Sequence, residues 1–249
     1  MDEKFKPSTQ GVKIEKKDFK IDLETPTSEE FNGDYEDFLK KAIPQWRSNH
    51  KKLLKIVKEG KFPFFGLHGT PSMNMAQILE SHKCGIEMAT FYKKNKEEDF
   101  LYKLYYACIY VSNYAFERGV HHKPILDRSP GGILVFNLEN EDKNITNSWE
   151  NLAYGSTMST SLTIDSSEES KNFLAMKHLE NLPFRTDYEF NEDKFDRCFK
   201  GVVRISDLEK YFKPSSISDS SKIARLVIKD RFLAQEILAR VLELLMNQK

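Results

Sequence analysis

One stretch constrains this chain more than any other: Phe62-Pro63-Phe64-Phe65-Gly66-Leu67-His68-Gly69-Thr70. It is apolar and aromatic, and Gly60 and Pro71 bound it. Such a run between breakers reads as a buried strand that ends abruptly. At its end an imidazole, a bare stretch of backbone and a hydroxyl come together in His68, Gly69 and Thr70. A glycine there lets another molecule approach the main chain closely. The competing reading is a core strand whose histidine caps the next turn.

The length of 249 residues allows one large domain or two small ones, with ample material for a packed core. The 38 basic and 38 acidic side chains cancel, so the balance carries no nucleic-acid footprint. Eighteen Phe and ten Tyr favour aromatic-rich strands or clefts over a leucine-rich bundle. Cys84, Cys108 and Cys198 are far apart and lack zinc-ligand spacing, so they read as reduced thiols and no metal is expected. The adjacent His121 and His122 read as part of a solvated loop. No apolar run reaches the roughly 20 residues of a membrane span. The N-terminus lacks the apolar segment of a secretory signal. A cytoplasmic protein is therefore expected.

Residues 1–30 are polar and read as a mobile tail or a wrapping arm. Residues 31–41 and 44–59 read as two packing helices, with Pro44 between them and Gly60 as a stop. After the central strand, residues 73–81 read as a helix that ends before Gly85-Ile86. Residues 93–99 are charged and exposed, and 100–106 could begin a helix. Residues 107–112 read as a short strand, followed by a turn or helix over 113–118. Residues 133–138 form a clear strand after the turn at Pro130-Gly131-Gly132. Residues 155–162 are β-prone with small hydroxyls at alternate positions, and 165–174 read as a capped helix. Residues 183–196 are polar and irregular. Strands are expected at 201–205 and 224–228, with a short helix at 207–212 and a loop over 214–221 between them. This mixture of short strands and modest helices indicates an α+β fold with a split or mixed sheet.

Three pieces occur in order: Leu67-His68-Gly69-Thr70, Ser159-Thr160-Ser161-Leu162 and Ala234-Gln235-Glu236-Ile237-Leu238. Together they resemble the ADP-ribosyltransferase superfamily over roughly residues 60–245. One branch carries a Ser-Thr-Ser strand; in the other the early residue is His and a Tyr-bearing strand and helix follow. Here Cys108-Ile109-Tyr110-Val111-Ser112 and Asn113-Tyr114-Ala115 look like that second feature, so the chain mixes traits of both branches. The resemblance implies a split mixed β-sheet core flanked by helices over residues 61–249, preceded by a helical extension at 31–60 and the tail at 1–30.

The resemblance also implies NAD as substrate and a protein acceptor, as in a bacterial effector or toxin translocated into a host or target cell. Breaking the nicotinamide–ribose bond leaves positive charge on the ribose, which a nearby carboxylate stabilises. That role falls to Glu236. His68 would hold the other ribose as a neutral donor, or the diphosphate if protonated. Gly69 would pair with the nicotinamide amide, with Thr70 beside it. Tyr110 or Tyr114 would stack on the nicotinamide ring. Ser159 would orient Glu236, with Thr160 and Ser161 supporting that strand. Two readings of the C-terminus stay open: the family order asks for a strand around Glu236, whereas Leu233, Ile237, Val241, Leu244 and Leu245 are spaced like one face of a helix. The alternatives are an NAD glycohydrolase on the same fold, a non-catalytic interaction protein that keeps the fold, and a relative of RNA 2′-phosphotransferases. The last needs several basic residues in the cleft, and the motifs supply one candidate.

Overall fold

The computed structural model describes residues 19–60, 64–91, 97–116, 131–139, 184–211 and 221–247. The apolar run after Gly60 forms strand β1, Phe65–Thr70. It is joined by β2 (Cys84–Phe91), β3 (Gly132–Asn137), β4 (Phe184–Phe190) and β5 (Phe199–Arg204) in one five-stranded sheet of order β4-β2-β1-β3-β5. The α+β class holds. The mixed sheet does not: each neighbouring pair is antiparallel. The reason is where β1 sits. Helix α4 (Glu97–Phe116) links β2 to β3, which run in the same direction, but β1 lies between them and opposes both.

Alternation along the strands splits the apolar residues between two layers. Phe65, Leu67, Ala89, Phe91, Ile133, Val135 and Val203 enter a large cluster with the helices of one face. Ile86, Met88, Leu134 and Phe136 enter a smaller cluster on the other face. Helix α3 (Ser72–Ser81) covers the small cluster through Met75, Ile78 and Leu79, and helix α5 (Glu192–Cys198) covers it through Phe195 and Cys198.

The large layer holds α1 (Ser28–Asn32), α2 (Tyr35–Glu59), α4 and α6 (Ser221–Met246). In α2 the buried residues Phe38, Ala42, Trp46, Asn49, Leu53 and Val57 recur every three or four positions, giving one inward stripe. Asp34 caps its start by accepting from the Asp37 amide, and Gly60 caps its end. The helix runs unbroken through Pro44, so the expected pair of helices is one short helix and one long one. Both pack in one cluster with α4 and α6.

Other expectations are corrected. Residues 107–112 lie in α4, and 224–228 lie in α6. Residues 84–91 form a strand where only the end of a helical unit was expected. Residues 183–196, expected to be irregular, include β4 and the first five residues of α5. The short helix expected at 207–212 is a 3₁₀ segment, Ile205–Tyr211. The strand expected at 155–162 and the helix at 165–174 lie outside the described residues. Near the C-terminal end of β3 the register shifts between Val135 and Phe136, opposite Gly201, whose φ of +144° is open to glycine and strained for any other residue. Among the described residues, no helix is long and apolar enough to cross a membrane.

Candidate functional site

His68 stands near the C-terminal end of the central strand, opposite Leu134 of β3, with Gly69 opposite Ile133 and Thr70 opposite Gly132. Leu134 belongs to the small cluster and Leu67 to the large one, so the His68 side chain is on the small-cluster face. It is half-buried there. Burial lowers its pKa from 6.5 to about 4. Near neutral pH it is therefore an uncharged imidazole with one donor and one acceptor nitrogen. Thr70 is buried beside it on the same face.

Gly69 has a different reason to be glycine from the one its position in the motif suggests. A Cβ there would collide with the backbone carbonyl of Val111 in α4. The residue lets α4 lie directly on β1, so the close approach on its Cα side comes from a helix of this chain.

One further residue on this face of the sheet has no counterpart among the motif residues. Arg204 ends β5 and pairs in register with Gly132, which in turn pairs with Thr70. Val203 points into the large cluster, so Arg204 is on the face of His68, exposed, and two strands from Thr70, roughly 10 Å across the sheet. The β-branched run Val202-Val203 marks a strand in the sequence, but only the strand order brings β5 next to β3.

The remaining motif residues lie elsewhere. Tyr110 is in α4 and packs against the large cluster, across the sheet from His68. Tyr114 is on the same helix. Ser159, Thr160 and Ser161 lie outside the described residues. Glu236 is in α6, which settles the C-terminus as a helix, in the layer across the sheet from His68. Its carboxylate has several partners. Tyr211 donates its hydroxyl to Oε2 at 2.7 Å, Lys210 Nζ stands 3.2 Å from Oε2, and Arg240 donates to Oε1 at 3.1 Å. Arg240 also reaches Asp207 at 3.2 Å. This cluster ties the 3₁₀ segment to α6. The structure thus brings His68, Gly69 and Thr70 together and keeps Glu236 and Tyr110 apart from His68.

Two hollows lie away from His68. One, of about 150 Å³, is bounded by Pro26, Glu30, Asp34, Asp37, Lys41 and Gln45. The other, of about 460 Å³, is bounded by Gln77, Ile78, Glu80, Ser81, Lys83 and Cys84. Cys84 is half-buried, and burial raises its thiol pKa, which disfavours the reactive thiolate. Among the described residues, no group of three or more His, Cys, Asp or Glu side chains is placed to hold a metal ion. The chain matches no family model, no curated protein and no solved structure.

Proposed function

We propose that this chain binds NAD on the sheet face marked by His68 and acts as an ADP-ribosyltransferase that passes ADP-ribose to a protein acceptor. The observation that carries this reading is the placement of His68, half-buried at the end of the central strand with Thr70 on the same face, where burial favours the uncharged imidazole. A neutral His68 suits a ribose hydroxyl, to which it can donate and from which it can accept. It does not suit a diphosphate, so the diphosphate falls to Arg204 on the same face, whose planar guanidinium matches phosphate oxygens. In the reaction the ribose–nicotinamide C–N bond breaks and its electron pair leaves with nicotinamide. The acceptor nucleophile then bonds to the same carbon and loses a proton. A carboxylate other than Glu236 must stabilise the charged ribose, because Glu236 is engaged by Tyr211, Lys210 and Arg240 in the layer across the sheet.

That engagement also favours a second reading, in which the protein binds NAD without turning it over. One experiment separates the two. The purified protein is given NAD labelled on its adenine side together with a cell lysate, and nicotinamide release, transferred label and NAD affinity are read. The transferase predicts label on a discrete protein band, lost in His68→Ala and kept in Glu236→Gln. Arg204→Ala should weaken NAD binding roughly tenfold, the value of a charge-assisted contact. Affinity without nicotinamide release selects the binding protein. Nicotinamide release without transferred label selects a glycohydrolase. A folded protein with no affinity for NAD overturns the proposal.

A further inference from the structure

Residues 19–27 form no helix and pair with no strand, yet they are held along their length by side chains of other elements. Asn247, just past α6, grips both main-chain groups of Phe19: its Oδ1 accepts from the Phe19 amide at 2.7 Å and its Nδ2 donates to the Phe19 carbonyl at 2.9 Å. Glu243 of α6 accepts from the Ile21 amide at 2.6 Å. Lys52 of α2 donates to the Asp22 carbonyl at 3.2 Å. Asn49 of α2 repeats the two-handed grip on Glu24, accepting from its amide at 3.0 Å and donating to its carbonyl at 2.7 Å. Lys210 closes the series on the Thr25 hydroxyl at 2.8 Å.

Apart from the Lys210 contact, these bonds are made to the main chain of the arm, where they cannot depend on which residue it carries. On the outward face the Glu24 carboxylate pairs with Lys52 at 3.7 Å, an exposed pair that contributes little, so side-chain selection comes chiefly from the face turned inward. Ile21 and Leu23 pack against the large cluster and Pro26 is buried, while Lys20, Asp22 and Glu24 are exposed. The grip is also set in advance. Asn49 is fully buried, and its Nδ2 donates to Gln235 Oε1 at 3.1 Å, while Gln235 Nε2 donates to the Trp46 carbonyl at 3.0 Å. That relay fixes which end of the Asn49 amide donates, with or without an arm in place. Main-chain bonds for affinity and apolar seats at alternate positions for specificity are the elements by which proteins recognise extended peptides.

We propose that the groove between α2 and α6 is a peptide-binding site, occupied in cis by residues 19–27. Its partner is an extended segment of another protein with apolar side chains in register with Ile21 and Leu23. The tethered arm competes at high effective concentration, so the groove opens to a partner only when the arm is displaced or weakened.

The test uses the full chain carrying Ile21→Asp and Leu23→Asp, which free the arm, and a fluorescent peptide with the sequence of residues 19–27. Anisotropy should show the peptide binding this variant at least about tenfold more tightly than the wild type, as loss of an intramolecular competitor requires. Asn247→Ala in the opened variant should weaken binding. Replacing the exposed residues of the peptide by Ala should leave affinity nearly unchanged, whereas N-methylation at the positions of Ile21 and Glu24 should abolish it. Circular dichroism establishes that each variant is folded. An opened, folded variant that does not bind the peptide, or that tolerates N-methylation, overturns the proposal. Dimerisation of the wild type through its own arm, seen as a doubled mass on dilution series, would assign the groove to a second copy and equally overturn it.

Discussion

Tyr211 donates its hydroxyl to Glu236 at 2.7 Å, and the pair joins the end of the 3₁₀ segment to the middle of α6. The phenol is buried, and its pKa is raised by desolvation first and by the neighbouring carboxylate next. The Glu236 side chain keeps 17% exposure, so the pair sits at the edge of the core with Lys210 and Arg240 around it. Removing the carboxylate takes one partner from the buried hydroxyl, which keeps Thr25, and leaves two cations without their common partner. Glu236→Ala should therefore cost about 2 kcal/mol of stability, read as a drop in the urea midpoint at constant slope. Tyr211→Phe removes the hydroxyl itself and should cost less, about 1 kcal/mol. If Glu236→Ala left stability unchanged while abolishing turnover of NAD, the structural role given to Glu236 would be wrong.

Gly69→Ala should be among the most damaging single-methyl additions in the chain. The new Cβ meets the Val111 carbonyl, and both groups are backbone held by a strand and a helix, so neither can swing away. The expected loss is about 2–3 kcal/mol, with α4 pushed off the sheet. Gly85→Ala is the control, since a Cβ there meets nothing within 4 Å. It should be neutral or stabilising by up to roughly 1 kcal/mol. Thermal melts of the two variants side by side decide the matter.

His50 and His68 make the fold sensitive to mild acid. His50 lies stacked between Trp46 and Tyr102, with centroids 5.1 and 5.3 Å away, and its Nδ1 is 3.4 Å from the Tyr105 hydroxyl. Burial, then the charge of Arg231, lowers its pKa to about 4, and burial does the same for His68. Both folded values are below the unfolded value, so the unfolded chain takes up protons first. Stability is full above about pH 6.5 and falls until pH reaches about 4, by about 1.4 kcal/mol per pH unit for each histidine. Urea denaturation at pH 7 and pH 5 should show this loss. His50→Phe keeps an aromatic ring in the stack and should remove its share of the slope.

The sequence is legible where an element has one wet side. The 3–4 spacing of Phe38, Ala42, Trp46, Leu53 and Val57 announces α2. It is illegible where an element is buried all round. In α4 every residue from Leu104 to Ile109 is buried, so a helix presents the same unbroken apolar run as a buried strand. Along β4, Phe184, Thr186, Tyr188 and Phe190 alternate with Arg185, Asp187 and Glu189, which is a strand signal in its own right, so the irregular reading of that stretch overlooks a legible pattern. The candidate site divides the same way. Its contiguous part, His68 to Thr70, is carried by one strand and could be read directly. Glu236 and Arg204 depend on which face of the sheet each element occupies, which topology decides and local pattern does not.

Pro44 marks the one place where a local rule was overridden within a single element. It is the tenth residue of α2, exposed, and cannot supply an amide to the Lys40 carbonyl. The helix continues because Ala42 and Trp46, on either side, are anchored in the large cluster, where their burial outweighs one missing bond. Restoring that bond should therefore help. Pro44→Ala is expected to stabilise the protein by roughly 1–3 kcal/mol, less than the full helix-propensity difference because the unfolded chain also gains freedom. The measurement is the urea midpoint together with hydrogen exchange at the amides of residues 44–48. Greater protection there, with an unchanged fold, would fit a helix that carries the proline at a cost. A loss of stability would mean that Pro44 sets a bend on which the packing of Trp46 depends.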